Sequence, residues 1–264
     1  MKILSQLPIS MPRETYGPYY DLLTRAYDKF RDEKTKVTIK DVPSGISNPA
    51  LMTFTGIREI NATENARAMI RSAREDFDAV AGACYFDCGI KTAKSLLSIP
   101  VVGAAEAAMY LASMMGTRFA VVTSEPDWIE EITHYLTTAG FSDLAIPCRP
   151  VRAMTMPLQE MFHGIMNGKY DDIRDDFSTR AEECTEDGAE VIIAGCGLIS
   201  SIFSTTGPAE IEGAPIIDPM VASLKIAELM AGIQKSGMKI QSRRGIFQAP
   251  SPVLRESGLK ELSV

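Results

Sequence analysis

Asp78-Ala79-Val80-Ala81-Gly82-Ala83-Cys84 and Ala189-Glu190-Val191-Ile192-Ile193-Ala194-Gly195-Cys196 are one phrase written twice in the same chain. Each is apolar on both alternating faces, which is the pattern of a strand buried inside a parallel sheet. Each is followed by a proline-led strand, Ile99-Pro100-Val101-Val102-Gly103 in the first half and Ala214-Pro215-Ile216-Ile217-Asp218 in the second. The proline follows the cysteine by 16 residues in one copy and 19 in the other. Each proline-led strand then opens a helix of small residues, Ala107-Ala108-Met109-Tyr110-Leu111-Ala112 and Val221-Ala222-Ser223-Leu224-Lys225-Ile226-Ala227. A repeat of this kind implies an α/β fold of two similar parallel-sheet lobes, each carrying a cysteine just past the carboxyl end of a central strand. Ligands of open α/β sheets bind at that end. If the lobes face each other about a pseudo-twofold axis, Cys84 and Cys196 open from opposite sides into one shared cleft.

Working outward, further strands are expected at Lys2–Ser5, Lys36–Lys40, Arg118–Thr123 and Ala145–Cys148. Helices are expected at Tyr19–Asp32, Ile90–Leu97, Glu106–Met115, Pro126–Ala139, Leu158–Met166, Asp171–Asp187 and Met220–Gln234, with a short one at Leu254–Leu262. Asn61-Ala62-Thr63-Glu64 reads as a helix start with Asn61 as N-cap, the helix running to about Asp76.

Composition narrows the function. The 264 residues are 45% hydrophobic and carry 27 Lys plus Arg against 34 Asp plus Glu, a formal charge of −7. The longest basic cluster is Arg243-Arg244, so a nucleic-acid partner is not expected. No stretch approaches the ~18–20 apolar residues of a membrane span, and Pro8 interrupts the N-terminus too soon for a signal peptide. A cytoplasmic protein is the expectation, and five cysteines in such a setting read as thiols. The Cys84/Cys88 spacing is weak as a metal motif beside only two histidines, so no metal is expected.

A thiol at a strand end, facing a helix N-terminus, sits in positive potential that favours its thiolate. Such a thiolate can take a proton from carbon, while a protonated thiol on the opposite face returns one and inverts the stereocentre. The enolate formed needs N–H or hydroxyl donors. The backbone flanking the cysteines, with Ser10, Thr123 and Ser124, is placed to provide them. Cys148 and Cys184 read as packing residues. Cys88 lies near the expected site but has no repeat partner. His134 and His163 fall on helix patterns, Trp128 reads as lobe packing, Glu106 as a charge on the first turn of its helix, and Tyr85 and Phe86 as pocket walls.

These stretches resemble the aspartate/glutamate/hydantoin racemase superfamily, and within it the hydantoin racemases. The resemblance is carried by Ala83-Cys84-Tyr85-Phe86-Asp87, by Ile99–Gly103 with Glu106-Ala107-Ala108-Met109, by Arg118–Thr123, by Gly195-Cys196-Gly197 and by Ala214–Asp218. It implies a cofactor-independent racemase with Cys84 and Cys196 as the acid/base pair. It implies a substrate that is a small carboxylate or cyclic amide, held near Pro8, Ser10, Tyr85, Phe86, Thr123, Ser124, Gly197 and Leu198. It further implies a first lobe of residues 1–103 completed by 218–264, a second lobe of residues 104–217, and a homo-oligomer. Two departures stand out. The Asn-Pro-Asn-Thr-like motif of hydantoin racemases is here Leu7-Pro8-Ile9-Ser10, without its amides, and Asp-Pro-Gly after the first cysteine is here Asp87-Cys88-Gly89. The departures leave open a decarboxylase or cis-trans isomerase of a small dicarboxylate using one cysteine, and a non-catalytic small-molecule binding protein on the same scaffold.

Overall fold

The structure, a computed structural model, describes residues 1–262 and 264. Among these residues two mostly parallel sheets carry the fold. The first contains β1 (Lys2–Gln6), β2 (Lys36–Lys40), β3 (Ala79–Gly82) and β4 (Val101–Val102) in the order β2-β1-β3-β4. The second contains β5 (Phe119–Thr123), β6 (Val151–Ala153), β7 (Val191–Ala194), β8 (Glu210–Ile211) and β9 (Ala214–Ile217) in the order β6-β5-β7-β9-β8. Strand for strand the sheets match, β1 with β5, β2 with β6, β3 with β7 and β4 with β9. Only β8, antiparallel to β9, is additional. The repeat in the sequence is therefore a repeat in topology, consistent with a pseudo-twofold arrangement. β3 and β7 are buried at every residue, as their unbroken apolar runs require.

The helices are α1 (Arg13–Phe30), α2 (Thr55–Ser72), α3 (Ile90–Leu96), α4 (Ala104–Met115), α5 (Ile129–Thr138), α6 (Leu158–Met166), α7 (Asp171–Glu186), α8 (Gly197–Thr205), α9 (Pro219–Lys235) and α10 (Pro252–Glu261). The two small-residue helices exchange partners. α4 leaves the first sheet and packs on β7, while α9 leaves the second and packs on β3. They also pack on each other, which the alanines along the buried face of α4 allow by letting the helices approach closely. Ser223 on α9 donates to the Gly82 carbonyl at 3.0 Å, pinning the end of β3.

The N-termini of α4 and α9 are capped by carboxylates in two different ways. On α9 the N-cap residue Asp218 accepts from its own helix, from Met220 N at 2.8 Å, and from the Ser204 hydroxyl at 2.6 Å. The equivalent residue before α4 is Gly103, and here Asp87 reaches in from the turn after Cys84. It accepts from Ala105 N and Glu106 N, both at 3.1 Å, and from the Tyr135 hydroxyl at 2.9 Å. A Cβ on Gly103 would lie 2.3 Å from Asp87 Oδ2, so the glycine is what leaves room for the borrowed cap.

Several local expectations are corrected. The expected strand at Ala145–Cys148 makes only a single bridge, Ala145 to Phe119, because Pro147 removes a ladder donor, and the edge strand forms later as β6. Cys148 is consequently exposed instead of packed. Asn61 is not an N-cap, since α2 begins at Thr55. Its amide instead donates to the Pro8 carbonyl at 2.7 Å and accepts from Ile46 N at 2.9 Å, tying down the loop after β1. α1 starts before Tyr19 with a break at Tyr16, which accommodates Pro18 at the head of the regular turns. α8 was not anticipated: it is buried nearly all round, so it shows no amphipathic period.

The borrowed cap makes a stability prediction. Gly103→Ala keeps an ordinary backbone conformation, φ −77°, yet must expel the Asp87 carboxylate. Urea unfolding is expected to show a loss of about 1–3 kcal/mol, the cost of leaving buried hydrogen-bonding groups unpaired.

Candidate active site

Both repeat cysteines open into one cleft at the carboxyl edges of the sheets, enclosing about 590 Å³ including its mouth. The loop after β1 supplies Leu7, Pro8, Ile9 and Met11, and α1 supplies Tyr19. The turn after β3 supplies Cys84, Tyr85 and Phe86, and the start of α8 supplies Cys196, Gly197 and Leu198. Met52, Trp128, Leu158 and Phe162 close the remaining sides. The lining contains no Asp, Glu, Lys, Arg or His among the described residues.

Of the residues expected from sequence, Pro8, Tyr85, Phe86, Gly197 and Leu198 line the cleft with the two cysteines. Two do not. Ser10 is turned into a separate surface groove with Arg13 and Asp41, because its N–H bonds the Ile46 carbonyl and fixes the loop that way. Thr123, the last residue of β5, is fully buried, with its hydroxyl 3.4 Å from the Gly195 carbonyl it donates to. Ser124 lies behind the wall, buried against Cys196. Trp128 is a wall residue, edge-on to Phe86 with centroids 5.2 Å apart, where lobe packing was expected. His134 and His163 are exposed, and Glu106 pairs with Lys94.

The two sulfurs sit in unlike surroundings. Cys84 is partly buried, with its sulfur 3.8 Å from that of Cys88. That hydrogen bond, helped by the Phe86 N–H and the nearby Arg58 guanidinium, holds the Cys84 thiol below its ordinary value despite burial. The same bond, then burial, pushes Cys88 well up. Cys196 is 8% exposed, and burial pushes its thiol up. The Ser124 hydroxyl and the Leu198 and Ile199 N–H groups at the head of α8 pull the other way without overcoming it. Asp87 is pushed up to about 6 by burial, against the pull of its N–H and hydroxyl donors.

Two residues escaped the sequence reading. Tyr19 is buried in the cleft wall, near enough to feel charge on both Cys84 and Cys196, and burial keeps its hydroxyl protonated. Arg58 is completely buried on α2. It pairs with Glu131 of α5, donates to the Met52 carbonyl and stacks on Phe86 at 4.1 Å. A tyrosine in a helix pattern and an arginine ahead of the expected helix start carry no sequence signal of such roles, since both types also serve as solvated surface residues. No group of three or more His, Cys, Asp or Glu side chains converges on a metal position among the described residues, and no helix there is long and apolar enough to cross a membrane.

The asymmetry predicts selective alkylation. At neutral pH iodoacetamide is expected to label exposed Cys148, and to label Cys84 at least about tenfold faster than Cys196 or Cys88, because thiolate content and access both favour it. Peptide mass mapping reads the order, and labelling of Cys196 ahead of Cys84 would reverse the assignment.

Comparison with known proteins agrees with this architecture. A profile of the Asp/Glu/hydantoin racemase family matches residues 19–227. The chain is 28% identical over 188 residues to a hydantoin racemase of Rhizobium meliloti, covering 71% of this chain and 74% of that one. It is 28% identical over 212 residues to a hydantoin racemase of Paenarthrobacter aurescens, covering 80% of each. Among solved structures, allantoin racemase from Klebsiella pneumoniae superposes with a TM-score of 0.75 at 23% identity, over 95% of this chain and 94% of that one. Glutamate racemase from Francisella tularensis, in complex with D-glutamate, shares the fold at a TM-score of 0.55 and 14% identity, over 89% of this chain and 81% of that one. The chain is an isomerase that belongs to the Asp/Glu/hydantoin racemase family.

Proposed function

We propose that this protein inverts a stereocentre next to the carbonyl of a small cyclic amide or carboxylate, without a cofactor, by proton transfer between Cys84 and Cys196. The observation that carries the reading is the shared cleft in which the two repeat cysteines have opposite protonation bias. In the resting state Cys84 is the more readily ionised of the two and serves as base, while Cys196 holds its proton. Cys84 takes the proton from the substrate carbon, and the electron pair moves into the adjacent carbonyl as an enolate. The Tyr19 hydroxyl, kept protonated by its burial, is a donor available to that oxygen. Cys196 then delivers its proton to the opposite face. The product leaves Cys84 protonated and Cys196 ionised, and the opposite enantiomer reacts by the reverse path.

The lining selects among substrates. A second carboxylate, as in aspartate, glutamate or a substituted malonate, would enter a wall with no cationic side chain and lose its hydration without compensation. A 5-substituted hydantoin with an apolar substituent fits the same wall, and the names of the relatives point the same way. The reading also divides the chain into a lobe of residues 1–103 with 218–264 and a lobe of residues 104–217, with the cleft between them.

The test is proton exchange in D₂O, followed by NMR at the Cα–H, over hydantoins, amino acids and substituted malonates. Loss of the signal with racemisation is expected for apolar-substituted hydantoins. Cys84→Ala and Cys196→Ala are each expected to lower racemisation at least ~10²–10⁴-fold, the usual contribution of a positioned acid or base. Two variants that racemise as the parent does would end the two-cysteine reading.

A further inference from the structure

We propose that Cys88 is a positioning residue that donates its S–H to Cys84 and thereby fixes Cys84, not Cys196, as the resting base. The inference rests on the two-cysteine reading above and adds to it a third thiol.

Either sulfur could donate by distance alone, and the surroundings favour one direction for the bond. The sulfurs are 3.8 Å apart, so one of them donates. Cys84 already faces the Phe86 N–H, while Cys88 is 6% exposed and behind the wall. A negative charge therefore sits better on Cys84, and the proton on Cys88. The Phe86 N–H and Arg58 of α2, which pairs with Glu131 of α5, add to this bias more weakly than the Cys88 bond. Asp87 on the same turn opposes ionisation, and Tyr19 of α1 and Cys196 at the head of α8 are held protonated by burial.

Cys88 is also held still, as a donor must be to act through one sulfur contact. On one side of it Asp87 is locked onto the N-terminus of α4. On the other, Gly89 has φ +75° and presses against α2, where a Cβ would lie 2.6 Å from the Ala62 carbonyl. Between them the Cys88 carbonyl accepts from Asn65 Nδ2 at 2.7 Å. The turn delivers its side chain to Cys84 with little freedom to point elsewhere.

The experiment follows Cys84 alkylation by iodoacetamide across pH, mapped by peptide mass spectrometry, in the parent chain and in Cys88→Ala, Cys88→Val and Cys88→Ser. Valine refills the volume without a donor, and serine keeps one. The alanine and valine variants are expected to move the Cys84 midpoint up by about one pH unit or more, roughly a tenfold loss of alkylation rate at neutral pH, with serine restoring part of it. The acidic limb of the pH profile of racemisation should move by the same amount. A parent-like midpoint in whichever donorless variant folds overturns the proposal. The alkylation readout needs no substrate, so a shifted midpoint beside a chain that racemises nothing would instead count against the proposed function and leave the thiol pair standing.

Discussion

The carboxylate of Asp87 is the contact on which the arrangement depends. α4 and α9 lie at the centre of the molecule, each packed on the sheet of the opposite half, so their first N–H groups are buried and need acceptors. α9 carries its own acceptor in Asp218. α4 takes one from the turn that holds Cys84, and the residue that would otherwise occupy that space has become Gly103. One interaction thus satisfies a helix end and fixes the backbone that presents a cysteine to the cleft. The Tyr135 hydroxyl extends the tie to α5, so the turn after β3 is secured from elements that follow β4 and β5 in sequence. Burying the carboxylate raises its proton affinity, and its donors restrain that rise.

What the sequence made legible follows from how many residues carry each signal. Strands β3, β5 and β7 are runs of apolar residues buried on both sides. The repeat then placed the two cysteines, because a strand end is a position that periodicity can locate. Signals resting on one residue failed. Asn61 followed by Glu64 satisfies the rule for a capping box, yet its amide is spent on Pro8 and Ile46, a tertiary use that no local pattern reveals. Ser10 has the right side chain and the wrong direction, set by a backbone bond to Ile46. α8 is invisible to amphipathic analysis because it has no wet face.

The same backbone slot, used twice, has produced two different thiols. After β7 the chain enters α8 at once, so Cys196 is the N-cap residue and faces helix N–H groups. After β3 it makes a tight turn first, with Asp87 at φ +49° and Gly89 at φ +75°, before α3 begins. That inserted turn brings Cys88 against Cys84 and leaves Cys84 the more open of the pair. The difference between the halves is therefore one of connection length, and it is enough to break a symmetry that the strands preserve.

Arg58 shows why short-range donors, and not net charge, govern this cleft. It is a cation that acts on Cys84, and it is completely buried behind Phe86. Its pairing with Glu131 offsets part of its charge, and its pull on the Cys84 thiol ranks below the Cys88 and Phe86 hydrogen bonds, so the field it leaves there is weak. A buried pair is also little screened by salt, so this weak field does not vary with ionic strength as a surface charge would. What remains to favour a thiolate is a set of N–H, O–H and S–H groups within reach of each sulfur. Such groups act over one hydrogen-bond length, and their effect is lost once the geometry slackens. In the proposed reaction the price of an apolar cleft is that rigidity, which the clamps on the turn after β3 supply.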